Sequence, residues 1–198
     1  MLAQSNHKLY SKILIGISAL LLMGAERDPF NMYSNSSYFK YHVKKCVSKA
    51  KTDGYLEYII PELYKNKLPY ELAYLPIIES CFEPTAVSIK GAKGLWQIND
   101  LTAKHLGMET RILIDERYDW RKSTHAAINY LKFLKARFPS WIQVLAAYNV
   151  GPTYIRDQMR EKNSDKLGDL KLPRETVKYI NQFVAMIDIL RNINRNKI

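Results

Sequence analysis

The chain has 198 residues, enough for one domain with a sizeable core. Apolar residues at 47% and charged residues at 25% exclude a disordered chain, and 8 Gly with 8 Pro exclude a collagen-like one. Lys and Arg number 30 against 19 Asp and Glu, and the net charge of +11 points to a polyanion or an anionic surface: nucleic acid, acidic lipid or a wall polymer.

Met1 to Lys12 is polar and carries Lys8 and Lys12 with no acid. Ile13 to Met23 is a run of eleven residues, apolar except for Gly16 and Ser18. A membrane-spanning helix needs about 20 such residues. The basic start, the short apolar run and the pair Gly24-Ala25 match a secretory signal peptide over residues 1–25. A retained N-terminal anchor is the alternative, because Met23 stands where cleavage favours a smaller residue. No Cys follows the run, so no lipid attachment is expected. The rest of the chain is expected outside the cytoplasm, in the periplasm or envelope, and it keeps a charge of +9.

Residues 26–50 read as a linker and an N-terminal helix, with the polar, Ser- and Asn-rich stretch 26–40 as the linker. Asp53-Gly54 breaks the chain. Tyr55 to Lys67 then shows helical spacing at Leu56, Ile59, Ile60 and Leu63. Pro69 opens a helix with Leu72, Ala73, Leu75, Ile77 and Ile78, and Pro76 is expected to kink it or end its first part. Residues 82–98 hold Pro84, Gly91 and Gly94 and read as a structured loop with a short helix. Asn99 or Asp100 caps a helix through His105, stopped by Gly107. Residues 119–138 form a helix with apolar Ala126, Ala127, Tyr130, Leu131, Phe133 and Leu134. Trp141 to Asn149 is apolar and is punctuated by Gly151-Pro152. Pro173 opens a last helix whose core stripe is Val177, Ile180, Phe183, Val184, Ile187 and Leu190. Alternating strand patterns are almost absent, so the fold class is all-α.

Cys46 and Cys81 are the only cysteines. Export permits a disulfide, and the sequence leaves their pairing open. His7, His42, His105 and His125 show no metal-ligand spacing, and no metal is expected.

Three segments carry chemistry. In Leu68 to Ser80, Glu79 ends an apolar helix. A carboxyl desolvated there holds its proton near neutral pH and delivers it to a leaving oxygen. The plainer reading is a solvent-facing glutamate. In Ser88 to Ile98, Gly91 and Gly94 let the backbone turn and approach a ligand. Trp96 offers a face for a sugar or serves as a core anchor, and Gln97 offers a donor and an acceptor. In Val144 to Gly151, Tyr148 and Asn149 adjoin at a helix end, as site residues or as core and cap.

In this order the three segments resemble the catalytic module of the lytic murein transglycosylases of glycoside hydrolase family 23, relatives of soluble lytic transglycosylase. The membrane-bound lytic murein transglycosylase D type is the subgroup they most resemble. Its LPxEL…LPxxES motif stands at residues 68–80, its GAxGLWQ at 91–97 and its AAYNxG at 146–151. Ser123 to Ala127 and Leu172 to Tyr179 extend the likeness, which runs through residues 55–195. The resemblance implies a lysozyme-like helical domain over 51–198 with a sugar-binding groove. It implies Glu79 as the single acid/base, Ser80 as its partner, Ser88 and Gln97 as substrate contacts, and Tyr148 and Asn149 as orienting residues. The implied reaction cleaves the β-1,4 bond between N-acetylmuramic acid and N-acetylglucosamine without water, and the muramyl C6 hydroxyl closes on C1 as a 1,6-anhydro ring.

No cofactor and no nucleic-acid partner are expected. The implied partner is the peptidoglycan glycan strand. Inner-membrane association would run through residues 13–23, and machinery of secretion, conjugation or phage entry would be the cellular setting. The subgroup's wall-binding repeats do not occur in these residues, so wall targeting is expected from the catalytic module, an anchor or a partner. Cys81 and Asn99 depart from the small and apolar residues expected at those positions. A goose-type-lysozyme-like hydrolase and an inactive peptidoglycan-binding scaffold are the alternatives.

Overall fold

A computed structural model describes residue 33 and residues 35–195. The expected targeting segment, residues 1–25, lies outside the described residues. The described residues are helical, with isolated β-bridges in place of sheets. Two compact units are present: one runs from Ser37 to Phe133 and the other begins at Leu134. Among the described residues no helix is long and apolar enough to cross a membrane.

The first unit opens with α1 (Ser37–Thr52). Its first turn overlaps the stretch read as linker. The reason is a buried stripe at Phe39, Val43, Cys46 and Ala50, spaced for one helix face. α2 (Tyr55–Lys65) follows Gly54, whose φ of +71° makes the sharp entry. A 3-10 turn (Tyr70–Tyr74) then leads into the short α3 (Leu75–Glu79). Pro76 sits in the first turn of α3, where its missing N–H costs nothing, so it starts the second piece of a broken helix. α1 packs against α2 and α3, and α2 packs against the 3-10 turn. The cysteines are joined: Cys46 of α1 is disulfide-bonded to Cys81, just beyond α3.

Residues 82–98 hold no helix, contrary to the expectation. Two antiparallel bridges, Val87 with Lys93 and Lys93 with Ile98, fold the segment back on itself instead. α4 (Asp100–His105) is capped by the Asn99 side chain, which accepts from the Thr102 N–H at 2.8 Å. A 3-10 turn (Glu116–Tyr118) precedes α5 (Trp120–Lys135). Tyr55 stacks on Phe82 at 5.9 Å and meets the edge of Trp120 at 5.0 Å, giving this unit an aromatic centre.

The second unit contains α6 (Trp141–Val150), α7 (Pro152–Lys162), a 3-10 turn (Leu167–Asp169) and α8 (Arg174–Arg195). α6 packs against α7 and α8. Ser140 and Gln143 form a capping box at the start of α6. The Gln143 side chain is buried and also donates to the Asp165 carbonyl. Ser140→Ala is expected to cost about 1 kcal/mol in a denaturant titration. The stripe read for α8 is corrected at two positions. Ile180, Phe183, Ile187 and Leu190 are buried, but Val177 is 40% exposed and Val184 is half-buried. Thr176, Tyr179, Ala185, Met186 and Ile189 are buried as well, so the buried face is wider than the apolar spacing suggests.

Candidate active site

Glu79 is the last residue of α3 and is half-buried. The helix stops because the chain leaves the right-handed region. Ser80 has φ of −145°, and Cys81 and Phe82 come next with φ of +53° and +58°. Two consecutive non-glycine residues in the left-handed region are costly, on the order of 1–2 kcal/mol each. Tertiary bonds hold them there: Cys81 through its disulfide, and Phe82 through full burial beneath Tyr55. The Ser80 hydroxyl donates to the Leu95 carbonyl at 2.8 Å and accepts from the Glu83 N–H at 3.2 Å. The end of α3 is thereby tied to the Gly91–Gln97 loop.

That loop rests on the Glu116–Tyr118 turn. Arg117 is 3% exposed. Its guanidinium grips Asp115 through Nε at 2.8 Å and Nη2 at 2.6 Å, and Nη1 donates to the carbonyls of Gly91 at 3.3 Å and Ile98 at 3.5 Å. Lys93 adds a third cationic contact to Asp115 at 3.0 Å. The Arg117 guanidinium, and after it Lys93, hold the Asp115 carboxyl well below the usual carboxylate range. A depressed folded pKa stabilises the fold fully above the unfolded value of about 3.9, and that contribution is lost as the pH falls from there through the lower folded value. Asp115→Asn is therefore expected to destabilise the protein by about 3–5 kcal/mol at pH 7, because it strands the buried guanidinium. The same variant should flatten the fall in stability at acid pH. Urea titrations of both proteins at several pH values check both effects.

Gly94 approaches backbone, not the ligand that its sequence context suggests. An added Cβ would lie 1.8 Å from the Arg117 carbonyl oxygen. Ser88 is half-buried, and its hydroxyl accepts from the Ala92 N–H at 3.0 Å, closing the turn before the loop. Gln97 is half-buried at φ of +48°, and its side-chain amide donates to the Gly94 carbonyl at 2.9 Å and the Ala86 carbonyl at 3.3 Å. Trp96 needs correction as a sugar platform. It is 0% exposed, and its indole N–H donates to the Thr124 hydroxyl at 2.9 Å. A ring with no accessible face cannot stack on a sugar, so Trp96 anchors the loop to α5. Glu79, Ser80, Ser88 and Gln97 thus belong to one unit. Tyr148 and Asn149, both half-buried, occupy the last turn of α6 in the other.

The Transglycosylase SLT domain model matches residues 57–169, more than half of the chain. The chain belongs to the transglycosylase SLT family. It is similar to the membrane-bound lytic murein transglycosylase D of Escherichia coli (strain K12), 35% identical over 151 residues that cover 73% of this chain and 33% of the relative. A protein of Alteromonas sp. (strain M-1) named for tributyltin chloride resistance is 38% identical over 122 residues, 61% of this chain and 59% of the relative. The membrane-bound lytic murein transglycosylase F of Alcanivorax borkumensis is 35% identical over 112 residues, 50% of this chain and 23% of the relative. The chain spans about a third of the transglycosylase D relative.

Within the SLT domain five acids near these motifs have structural employment. Thr85 donates its hydroxyl to Glu83 at 2.6 Å and holds that carboxyl below its ordinary value. Asp100 pairs with Lys104, Asp115 with Arg117, and Glu116 with Lys122. Asp119 caps the start of α5 by accepting from the Arg121 N–H at 2.9 Å. Two roles are not told by the sequence motifs. Arg117 carries no motif signal. Glu71 is 6% exposed, and its charge adds to the burial that pushes the Tyr74 hydroxyl pKa up. Glu71 is the acid of the LPxEL motif, but nothing in the pattern of Tyr70 to Tyr74 hints that it points inward.

Proposed function

We propose that the SLT domain is a lytic transglycosylase of peptidoglycan, acting in the cell envelope with Glu79 as its only acid/base. The observation that carries this reading is the tie between Glu79's helix end and the Gly91–Gln97 loop through Ser80, which joins two of the three motifs in one small unit. The name and 35% identity of the Escherichia coli relative support the substrate.

A glycosidase with two carboxylates needs them about 5–9.5 Å apart. Glu83, Asp100, Asp115, Glu116 and Asp119 are engaged by hydrogen bonds or ion pairs, which favours chemistry with one carboxylate. Glu79 would protonate the glycosidic oxygen as the C1–O bond breaks, while the N-acetyl oxygen shields C1. The carboxylate would then take the proton of the C6 hydroxyl, and O6 would bond to C1 to give the 1,6-anhydromuramyl end. No water enters the product. Ser80 would steady the helix end, and Ser88 and Gln97 would place backbone carbonyls and N–H groups for the strand. The family resemblance alone gives Tyr148 and Asn149 an orienting role. The charge of +11 suits an anionic wall polymer. Export through residues 1–25, association with the inner membrane and service to a secretion, conjugation or phage machine fit the same reading.

Incubation of the folded protein with purified sacculi tests it. Soluble muropeptides released in proportion to enzyme are the expected result. A folded protein that binds sacculi and releases nothing would make the chain a wall-binding scaffold.

A further inference from the structure

We propose that the Cys46–Cys81 disulfide is a positioning device for Glu79, so that full turnover requires this bond to be oxidised. The proposal rests on Glu79 as the acid/base, and its test separates failure of either idea.

α3 has five residues, too few to hold its own last turn against fraying. The turn C-terminal to Glu79 therefore helps to set its direction, together with the Ser80 and Phe82 N–H bonds to the Pro76 carbonyl. In that turn the chain takes two left-handed residues, Cys81 and Phe82, that favour relaxation to ordinary φ values. Phe82 is held by burial and by its stacking on Tyr55. Cys81 is half-buried, and its disulfide is the bond that clamps it. The other end of the clamp is firm. Cys46 lies mid-way along the 16-residue α1, fully buried on the face that packs against α2 and α3. A rigid helix thus grips a strained turn two residues beyond Glu79. Cutting the grip frees Cys81, and with it the Ser80 backbone whose hydroxyl meets Leu95. A proton-transfer group displaced by about an ångström loses up to roughly 10²-fold in rate. With Phe82 still buried the displacement is partial, so a fall of about tenfold is expected.

The bond is open to exchange. Cys81 is partly accessible, and the His42 Nε2 lies 3.5 Å from the Cys46 sulfur, where an imidazole steadies a departing thiolate. Reduction by a dithiol is balanced: the S–S bond breaks, each cysteine gains one electron and one proton, and the reagent closes to its own disulfide. His42, Cys46 and Cys81 place their ligand atoms within 4.8 Å of one another, a set that could hold a metal ion once the thiols are free. The reduction is therefore run with a chelator.

The test compares kcat and KM on soluble glycan strands below every melting temperature. Its samples are oxidised wild type, wild type reduced with dithiothreitol, Cys46→Ala/Cys81→Ser, Cys46→Ala/Cys81→Gly and oxidised Glu79→Gln. The reduced protein and the Ser variant should lose about tenfold in kcat with KM within about twofold, and reoxidation should restore only wild type. Glycine adopts the left-handed turn without cost, so the Gly variant should lose only about two- to fivefold. Unchanged kcat in folded, reduced protein overturns the proposal, even if its melting temperature falls. If reduction and the Ser variant both unfold the protein, the Gly variant decides: wild-type kcat there overturns the proposal, and a fall at constant KM supports it. Wild-type turnover by Glu79→Gln overturns the acid/base reading itself, whatever the cysteines do.

Discussion

Glu79→Gln is expected to lower muropeptide release by a factor on the order of 10²–10⁴, because the amide neither donates a proton to the glycosidic oxygen nor accepts one from the C6 hydroxyl. The substitution keeps the size and shape of a half-buried side chain at a helix end. Its unfolding free energy should stay within about 1 kcal/mol of wild type. The two readouts together matter. Lost activity with retained stability identifies chemistry at this position. Lysis by a fully folded Glu79→Gln protein would move the acid elsewhere, and buried Glu71 would be the first place to look.

Gly94→Ala is expected to cost more than about 4 kcal/mol and to leave the first unit unfolded or molten under mild denaturant. The new Cβ would fall 1.8 Å from the Arg117 carbonyl oxygen and 2.9 Å from its carbon, at a φ of +76°. Neither side can retreat. Arg117 is pinned by Asp115 and by the carbonyls of Gly91 and Ile98, and Gly94 by its N–H bond to the Ala86 carbonyl at 2.9 Å. Gly91 is the control. Its φ is +78°, yet a Cβ there meets open space. Gly91→Ala should cost only the left-handed penalty, about 1–2 kcal/mol. Urea midpoints of the two variants separate conformational cost from collision. Equal midpoints would contradict the close approach of Gly94 to Arg117.

Most of the helices are legible because their apolar residues recur at helical spacing, as in α2, α5 and α8, while α6 shows as an apolar run closed by Gly151-Pro152. The exception, α7, buries only Ile155 and is polar around the rest of its surface, so no stripe marks it. Its one local signal is Pro152 at the first helical position after Gly151. Val177 misled in the opposite way: an apolar residue at the right spacing proved exposed, because a helix pattern does not say where the neighbouring element ends. The disulfide was out of reach for a different reason. The cysteines are 35 residues apart, and only the packing of α1 on α3 brings their Cα atoms to 5.0 Å.

The candidate site divides along the same line. The identities at Glu79, Ser80, Ser88 and Gln97 are motif properties and were readable as such. What the neighbours do was not. Trp96 reads equally well as a platform or an anchor until its burial and its bond to Thr124 decide for anchor. Gly94 advertises a close approach without saying to what. Arg117 supports the whole loop through long-range bonds to Gly91 and Ile98, across 26 and 19 residues, that no local pattern records.

The central claim is that one carboxylate cleaves the glycan without water, and the mass of the new ends measures it most directly. Muropeptides released from purified peptidoglycan by the wild-type protein should carry 1,6-anhydromuramyl ends, and the Glu79→Gln control should release none. Reducing muramyl ends, heavier by one water, would contradict the claim and make the protein a hydrolase that positions water with a second group.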